Sequence, residues 1–346
     1  MKNTTLNRRH FISQMLGASL LISGCERKSP IQRDIGLIKS FGLTEQRGSY
    51  RRIYAAGAPA ELLLYALVPQ WLIGWSRQKS AQAMEFLSSH AQLLPFLGSI
   101  NGRGSTVSLE TLMKKNVDLI VDMGERTPAY VSTAARVSAQ LKIPYLLLDG
   151  RLALAPEQIK QLGYLVSSPN IEQLTSLSQR AIAFAATVAA DINQGIHIYY
   201  AGGADGLETG RKNSIHTEVI NLLGAKNCAD ALGEGGLSKV TLEQIIDWQP
   251  DMIVTQNQKF IDMAYSQPAW NNVKAVANKA IYLLPALPYG WIDSPPSLNR
   301  LLGIYALAPI LQQLRRNYYA DEIQELYQGL YHTQLTYTQL QYLGLS

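Results

Sequence analysis

The sequence predicts an α/β protein made of two similar lobes, each with a central parallel sheet, joined by one long rigid helix. Three observations lead to this prediction: a fifteen-residue segment that occurs twice, an alternation of strands with helices, and a long helical pattern between the two copies. The length of 346 residues also favours two lobes over a single hydrophobic core.

The repeated segment reads VSLETLMKKNVDLIV at residues 107–121 and VTLEQIIDWQPDMIV at residues 240–254. In each copy a hydroxyl residue, Ser108 or Thr241, stands where a helix N-cap is expected, and a short amphipathic helix follows it. Each copy then ends on Asp, an apolar residue, Ile and Val, which is typical of a buried parallel strand. Each copy therefore predicts a helix that leads into a strand.

The first lobe is predicted over residues 50–169, where apolar strand patterns alternate with helical ones. Proline at the start of the helix predicted over residues 60–67 suits its first turn. Strands are predicted at residues 50–56, 72–75 and 144–148 and at the end of the first repeat copy. Because parallel strands end at one edge of a sheet, the loops that follow them are expected to gather there.

One long helix is predicted over residues 170–193, within a connecting segment at residues 170–194. Its apolar residues recur at spacings of three and four, and Asn170 and Gly195 suit its start and its stop. At 1.5 Å per residue this helix is roughly 35 Å long, about the size of a domain. It lies between the two repeat copies, where a strut between lobes belongs.

The second lobe is predicted over residues 195–346, and it ends in covering helices. A strand at residues 197–201 opens it and leads into AGGADGLETGRKNS, the most glycine-rich loop of the chain. A helix at residues 215–223, the second repeat copy and a strand at residues 280–284 follow. Ser294-Pro295-Pro296 predicts a helix start, and helices are expected over residues 298–311 and 321–342.

Residues 1–25 are predicted to be a signal peptide. Arg8-Arg9 is a twin-arginine pattern, an apolar stretch follows at residues 15–22, and ISGC at residues 22–25 resembles a bacterial lipobox. We expect an exported protein of the periplasm or cell envelope, anchored by lipid on Cys25, with residues 26–49 as a tether. The Tat or Sec route, and inner or outer membrane, stay open.

Composition excludes several classes of function. After the signal peptide 28 basic residues oppose 26 acidic ones, so the near-neutral body argues against nucleic acid as a partner. With Cys25 lipidated, Cys228 has no partner for a disulfide. No GxSxG, P-loop or HExxH pattern occurs, and GGADGLETG lacks the GxGxxG spacing, so we expect no enzyme.

Three further motifs carry a family resemblance: GADGLET at residues 203–209, NLLGAKN at residues 221–227 and GWIDSPPSLNRLLG at residues 290–303. With the tethered N-terminus and the two lobes, they make the chain resemble the bacterial solute-binding proteins that serve ATP-driven importers of ferric siderophores, haem, cobalamin and related metal complexes. The resemblance covers residues 51–318. It implies a monomer that needs no cofactor. Such a protein holds a metal chelate in a cleft between its lobes and delivers it to a membrane permease, which works together with an ATPase.

The resemblance also implies which loops meet the ligand, expected to be a ferric siderophore or another iron chelate. Arginine offers a planar donor fork to carboxylate, catecholate or oxyanion oxygens, and aromatic residues offer flat apolar faces. The candidate ligand contacts are Gly57, Arg103, Arg126, Arg211, Tyr289 and Trp291. A Tyr289 phenolate or His216 is hypothesised to complete the coordination of iron.

Glu110 and Glu243 stand at equivalent places, one turn into each repeated helix. In the family such a glutamate on each lobe docks into arginines of the permease. An acidic residue near a helix N-terminus is also favoured by the helix dipole, so docking is a hypothesis for this pair.

Other ligands compete with an iron chelate. Haem and cobalamin belong to the same group, and glycine-rich loops and helix N-termini bind oxyanions such as molybdate or tungstate. A bare metal ion requires three or four converging ligands. The histidines after the signal peptide are scattered, at positions 90, 197, 216 and 332, which disfavours a bare-metal site.

Overall fold

The computed structural model describes residues 32–42, 50–101, 106–192 and 195–346. The N-terminal lobe is built on a five-stranded sheet with the order β1-β2-β5-β4-β3. Its strands are β1 (Gln32–Ile35), β2 (Ile38–Phe41), β3 (Ile53–Ala55), β4 (Leu119–Gly124) and β5 (Tyr145–Asp149). β3, β4 and β5 are parallel, whereas β1 and β2 form an antiparallel hairpin that joins the sheet through β5.

The C-terminal lobe has a four-stranded parallel sheet with the order β11-β10-β6-β8. A small antiparallel pair, β7 with β9, lies beside it. The strands are β6 (His197–Ala201), β7 (Glu208–Gly210), β8 (Lys226–Asn227), β9 (Leu237–Lys239), β10 (Met252–Thr255) and β11 (Ile281–Leu283).

Helices cover the faces of both sheets. Those of the N-terminal lobe are α1 (Ala58–Leu67), α2 (Ala81–Glu85), α3 (Leu109–Lys114), α4 (Pro128–Leu141) and α5 (Ala155–Leu165). Those of the C-terminal lobe are α7 (Glu218–Leu222), α8 (Leu242–Trp248), α9 (Gln258–Ser266), α10 (Lys274–Ala277), α11 (Arg300–Leu311), α12 (Ala320–Tyr331) and α13 (Tyr337–Tyr342). No helix within the described ranges is long and apolar enough to cross a bilayer.

The connecting helix is α6 (Ile171–Asp191), with 21 residues and hence a length of about 32 Å. It buries Leu174, Leu177, Ala181, Ala185 and Val188, which are residues of the predicted apolar stripe. It contacts α1 and α5 of the first lobe and α7, α11 and α12 of the second. The apolar core therefore runs without interruption from one lobe through α6 into the other.

Both repeat copies fold as a helix followed by a parallel strand, α3 with β4 and α8 with β10. The Ser108 hydroxyl accepts a hydrogen bond from the Thr111 N–H, and Thr241 forms a reciprocal capping box with Gln244. These bonds satisfy N–H groups that the first turn of a helix leaves without a partner. The predicted fold class, two similar α/β lobes joined by one long helix with a cleft between them, is confirmed.

The structure differs from the sequence predictions at several element boundaries. Residues 32–41, expected to be tether, form the β1–β2 hairpin, in which Ile38 and Phe41 are buried against the sheet. Residues 72–75 form isolated bridges instead of a strand. The helix expected from Ser294 begins only at Arg300, because a residue that precedes a proline is disfavoured in helical conformation. The signal peptide and Cys25 lie outside the described residues.

The last predicted helix is also divided. α12 ends at Tyr331, and the next residue, His332, is left-handed with φ of 56°. α13 begins after Thr336, which caps it together with Gln339. The apolar pattern of residues 321–342 thus continues across two helices. Pattern alone does not reveal such a break when the new cap is a single threonine.

Candidate functional site

A cavity of about 280 Å³ lies between the lobes, where the loops after the parallel strands meet. Residues from both lobes line it, so its walls belong to separate halves of the chain. The first wall consists of Gly57, Ala58, Pro59, Ser76, Arg77, Ser99, Asn101, residues 122–125 and Tyr130. The second consists of Glu208, Ile215, His216, Leu237 and residues 293–296.

Asp122 is a buried carboxylate in the first wall, near the end of β4. It accepts hydrogen bonds from Asn101 Nδ2 at 2.6 Å, from the Tyr145 hydroxyl at 3.0 Å and from the Met123 N–H at 2.9 Å. Burial raises the pKa of Asp122 to about 6, although these three hydrogen bonds oppose the increase. A charge held here in low dielectric therefore contributes strongly to the electrostatics of the cavity.

His216 and Asp293 form a pair in the second wall, with 2.8 Å between Nδ1 and Oδ1. Asp293 is buried, and the Tyr200 hydroxyl is hydrogen-bonded to it. The pKa of the Tyr200 phenol is raised, mainly because the phenol is buried and next because of the negative charge of Asp293. Since Asp293 engages Nδ1, Nε2 is the ring nitrogen without a partner among the described residues. A histidine held in this way is a common metal ligand.

The described lining is predominantly acidic. Asp122, Glu125, Glu208 and Asp293 supply carboxylates, and among the described lining residues Arg77 alone carries a permanent positive charge. Glu125 also accepts a hydrogen bond from the Gly236 N–H at 2.9 Å, a contact between the lobes. The cavity therefore favours a ligand that contains a cation over a bare anion.

Gly57, a candidate ligand contact, lines the cavity and is the N-cap of α1. A Cβ atom at this position would lie 3.2 Å from the Asn101 carbonyl oxygen, so glycine permits the close approach of these two segments. Ala58 and Pro59 line the cavity too, which directs the N-terminus of α1 and its partial positive charge towards a ligand.

The two described candidate arginines lie outside the cavity lining. Arg126 pairs with Asp149 at 3.2 Å. Burial would raise the pKa of Asp149, but hydrogen bonds and charges from Arg151 and Arg126 lower it. The Arg211 N–H donates to Gly236, and its buried Nε has no hydrogen-bond partner among the described residues. Arg103, the third candidate, lies outside the described residues.

Tyr289 and Trp291 are buried in the core behind the cavity. The Tyr289 hydroxyl donates to Glu61 Oε1 at 2.7 Å, and Trp291 Nε1 donates to the Leu287 carbonyl at 3.1 Å. Burial, together with the charge and hydrogen bond of Glu61, raises the pKa of Tyr289 well above its usual value. The structure thus holds a neutral phenol in the core and not the hypothesised iron-binding phenolate.

Glu110 and Glu243 are exposed in the first turns of α3 and α8. The Glu110 carboxylate pairs with Lys114 at 2.6 Å, one turn later in the same helix. Hydrogen bonds from its own backbone N–H and from Thr241 lower the pKa of Glu243. Both side chains are accessible to a partner.

Several cavity residues were not among the sequence candidates. Two aspartates, one serine, one arginine and one asparagine line the cavity in addition to the candidates: Asp122, Asp293, Ser76, Arg77 and Asn101. A signal for the aspartates exists, since polar residues that follow a buried parallel strand collect at the functional edge of the sheet. The described residues contain no group of three or more His, Cys, Asp or Glu side chains arranged to hold a metal ion.

Comparison with known proteins places the chain among binding proteins. A family model described as "Periplasmic binding protein" matches residues 101–287. The solute-binding protein of an ABC transporter from Sulfurospirillum deleyianum is 29% identical, with a TM-score of 0.76, over 87% of this chain and 95% of that one. The vitamin B12-binding protein BtuF of Vibrio cholerae is 22% identical, with a TM-score of 0.60, over 76% of this chain and 97% of that one, which shows a shared fold.

A curated relative is the molybdate-binding protein MolA of Haemophilus influenzae. It is 25% identical over 113 residues, and the match spans 32% of each chain, so about a third of that relative's length is covered. The structure of MolA with molybdate bound has a TM-score of 0.65 and 17% identity, over 86% of this chain and 96% of that one, which again shows the fold.

Proposed function

The chain belongs to the periplasmic binding protein family, a family of extracytoplasmic binding proteins, and from this premise we propose that it captures a compact metal chelate for an ABC importer. The observation that carries the proposal is the inter-lobe cavity, which places the His216–Asp293 pair opposite the α1 N-terminus. An iron complex with a small organic chelator is the favoured ligand.

The size of the cavity limits the ligand. Its volume is about 280 Å³. Pockets that enclose drug-sized ligands occupy about 300–1,000 Å³. A small chelate of the citrate or amino-acid class matches this volume more closely than haem or cobalamin does.

The chemistry of the second wall supports a metal. Asp293 engages His216 Nδ1 and leaves Nε2 to complete the coordination of a metal that its chelator leaves partly open. The α1 N-terminus and Arg77 of the first wall would then meet the carboxylate oxygens of the chelator.

A tetrahedral oxyanion such as molybdate is the second candidate. The α1 N-terminus, Arg77 and the amide of Asn101 suit an anion, and a molybdate-binding protein is among the relatives. The carboxylates in the same lining oppose it. The two candidates therefore differ in their dependence on His216, since Arg77 would contact either ligand.

Isothermal titration of the purified protein with ferric citrate, ferric catecholate, haem, cobalamin and molybdate tests the proposal. We expect one compact iron chelate to bind, Asp293→Asn to weaken it about 10–100-fold and His216→Ala to weaken it at least as much. His90→Ala is the matched control, since His90 is exposed on the first lobe and contacts the Pro69 carbonyl. Molybdate binding that depends on Arg77 but not on His216 would establish the second candidate instead.

We further propose that Glu110 and Glu243 dock the permease, and that lipid on Cys25 anchors the protein at the cell envelope. The double variant Glu110→Ala with Glu243→Ala is expected to abolish uptake while ligand affinity stays unchanged. Glu157→Ala and Glu172→Ala, in first turns of other helices, serve as controls for loss of surface charge. Altered ligand affinity in the double variant would contradict docking. Loss of membrane attachment in Cys25→Ala checks the anchor.

A further inference from the structure

A fully buried carboxylate lies directly behind the first wall of the cavity. Glu61, in the first turn of α1, has no exposed surface. Its Oε2 atom accepts hydrogen bonds from the Ser76 N–H at 2.5 Å, from the Ser76 hydroxyl at 2.7 Å and from the Arg77 N–H at 3.3 Å. One carboxylate oxygen therefore holds the backbone of two residues that line the cavity.

The other oxygen of Glu61 connects the two lobes. Oε1 accepts a hydrogen bond from Lys79 Nζ at 2.6 Å and one from the Tyr289 hydroxyl at 2.7 Å. Lys79 Nζ also lies 4.7 Å from the Trp75 ring centroid and 4.8 Å from that of Tyr289. Tyr289 belongs to the C-terminal lobe and precedes Asp293 of the second wall by four residues.

The burial of the Glu61–Lys79 pair indicates that this network fixes the positions of the groups around it. The Lys79 and Glu61 side chains are 4% and 0% exposed, so both charges lose nearly all of their hydration. Such a buried pair adds little net stability compared with apolar residues of the same size. It does restrict the surrounding groups to one arrangement, because all of these donors bond to the same carboxylate.

We propose that Glu61 is a positioning residue of the binding cavity, which holds Ser76 and Arg77 in register with the Tyr289–Asp293 segment of the opposite lobe. The inference rests on the proposed function only in taking this cavity as the binding site. Glu61 itself does not line the cavity and acts on a ligand through Arg77. Tyr289, a candidate ligand contact in the sequence, would influence the cavity indirectly, through the hydrogen bond from its hydroxyl to Glu61.

A double-mutant cycle separates positioning from general destabilisation. We expect Tyr289→Phe to weaken ferric citrate binding about tenfold, the effect of one buried charge-assisted hydrogen bond. We expect this loss to vanish when Arg77→Ala is already present. Tyr327→Phe is the matched control, since that buried hydroxyl donates to the Phe86 carbonyl at 2.5 Å, away from the cavity, and ligand affinity should not change. Equal losses with and without Arg77 would overturn the inference.

Amide hydrogen exchange gives a readout that needs no ligand. In Glu61→Gln and in Tyr289→Phe, the Ser76 and Arg77 amides should exchange at least tenfold faster, while amides of β4 keep their protection. Unchanged exchange at these two amides, or acceleration spread equally over β4, would overturn the inference. If the wild-type protein does not bind ferric citrate, the proposed ligand is wrong, and the exchange result alone decides the role of Glu61.

Discussion

The two repeat copies share a scaffold but end in different chemistry. β4 and β10 are both parallel, both follow a hydroxyl-capped helix, and both lie in the interior of their sheets. At the equivalent strand-end position the first copy has Asp122, which lines the cavity, and the second has Thr255. The Thr255 hydroxyl donates to the Ala201 carbonyl of β6 at 2.8 Å and accepts from the Asn257 N–H, so it joins two strand ends within its own lobe.

This difference teaches how a duplicated element acquires a function. The helix and strand of each copy are required for the sheet, so their apolar positions agree between copies. The polar residue near the end of each strand differs between the copies, and each one bonds to partners of its own. The first lobe therefore contributes a buried charge at this position, and the second contributes its charges from the segments around His216 and Asp293.

The largest expected loss of stability comes from replacing Arg300, which bonds to both lobes. Arg300 is fully buried and donates to Glu218 Oε2 at 2.6 Å in its own lobe and to the Gly150 carbonyl at 2.7 Å in the other. Arg300→Met leaves Glu218 without its cation, and we expect a loss of about 3–5 kcal/mol in the free energy of unfolding, measured in urea.

A half-exposed ion pair provides the control for Arg300. Arg180 pairs with Glu325 at 2.6 Å, but its side chain is 52% exposed. Arg180→Met should cost less than about 1 kcal/mol in the same measurement, because solvent screens this pair. Similar losses in the two variants would show that Arg300 does not join the lobes in the way that its burial indicates.

The strand-end difference predicts a pH dependence in one copy only. Burial raises the pKa of Asp122 from its ordinary value of 3.8 to about 6, so the protonated carboxyl favours the folded state. Its stabilising contribution is complete below about pH 4 and is lost as the pH rises through about 6, a change of about 3 kcal/mol. Urea unfolding of Asp122→Asn at pH 4 to 8 should lack this component of the wild-type slope.

Thr255→Val is the matched variant in the second copy. It removes a buried hydroxyl at the equivalent position, and we expect a loss of about 1–2 kcal/mol that is the same at every pH. If the stability difference between Asp122→Asn and the wild type does not change with pH, the assigned titration of Asp122 is wrong.

The smallest effect tests the similarity of the copies. Ser108→Ala and Thr241→Ala each remove one hydroxyl that accepts a backbone N–H at a helix start. Each should cost about 1 kcal/mol in the free energy of unfolding. A loss in only one of the two variants would show that the caps are not equivalent.

Local patterns predicted the scaffold because they depend on short-range spacing. The stripe of α6 has the helical period, and the apolar runs that end at Val121 and Val254 are buried strands, so both were found from the sequence. The hairpin at residues 32–41 was missed because its strands are only four residues long, mix polar with apolar residues, and join the sheet by pairing with β5, which is distant in sequence.

The site was predicted only in part. Of the candidates, Gly57 and His216 line the cavity, while Tyr289 and Trp291 lie behind it and Arg126 pairs with Asp149. An aromatic or basic residue in a loop carries no mark of the direction in which its side chain points. That direction depends on partners far along the chain, such as Glu61, which lies 228 positions before Tyr289.

The sequence by itself determined the two α/β lobes, the connecting helix and the family resemblance, because apolar periodicity, helix caps and repeated motifs are local. Tertiary structure alone decided which polar groups face the cavity and which are buried behind it. The physical reason is that a buried charge or hydroxyl must find a partner, and for Glu61, Asp122 and Arg300 those partners come from distant segments.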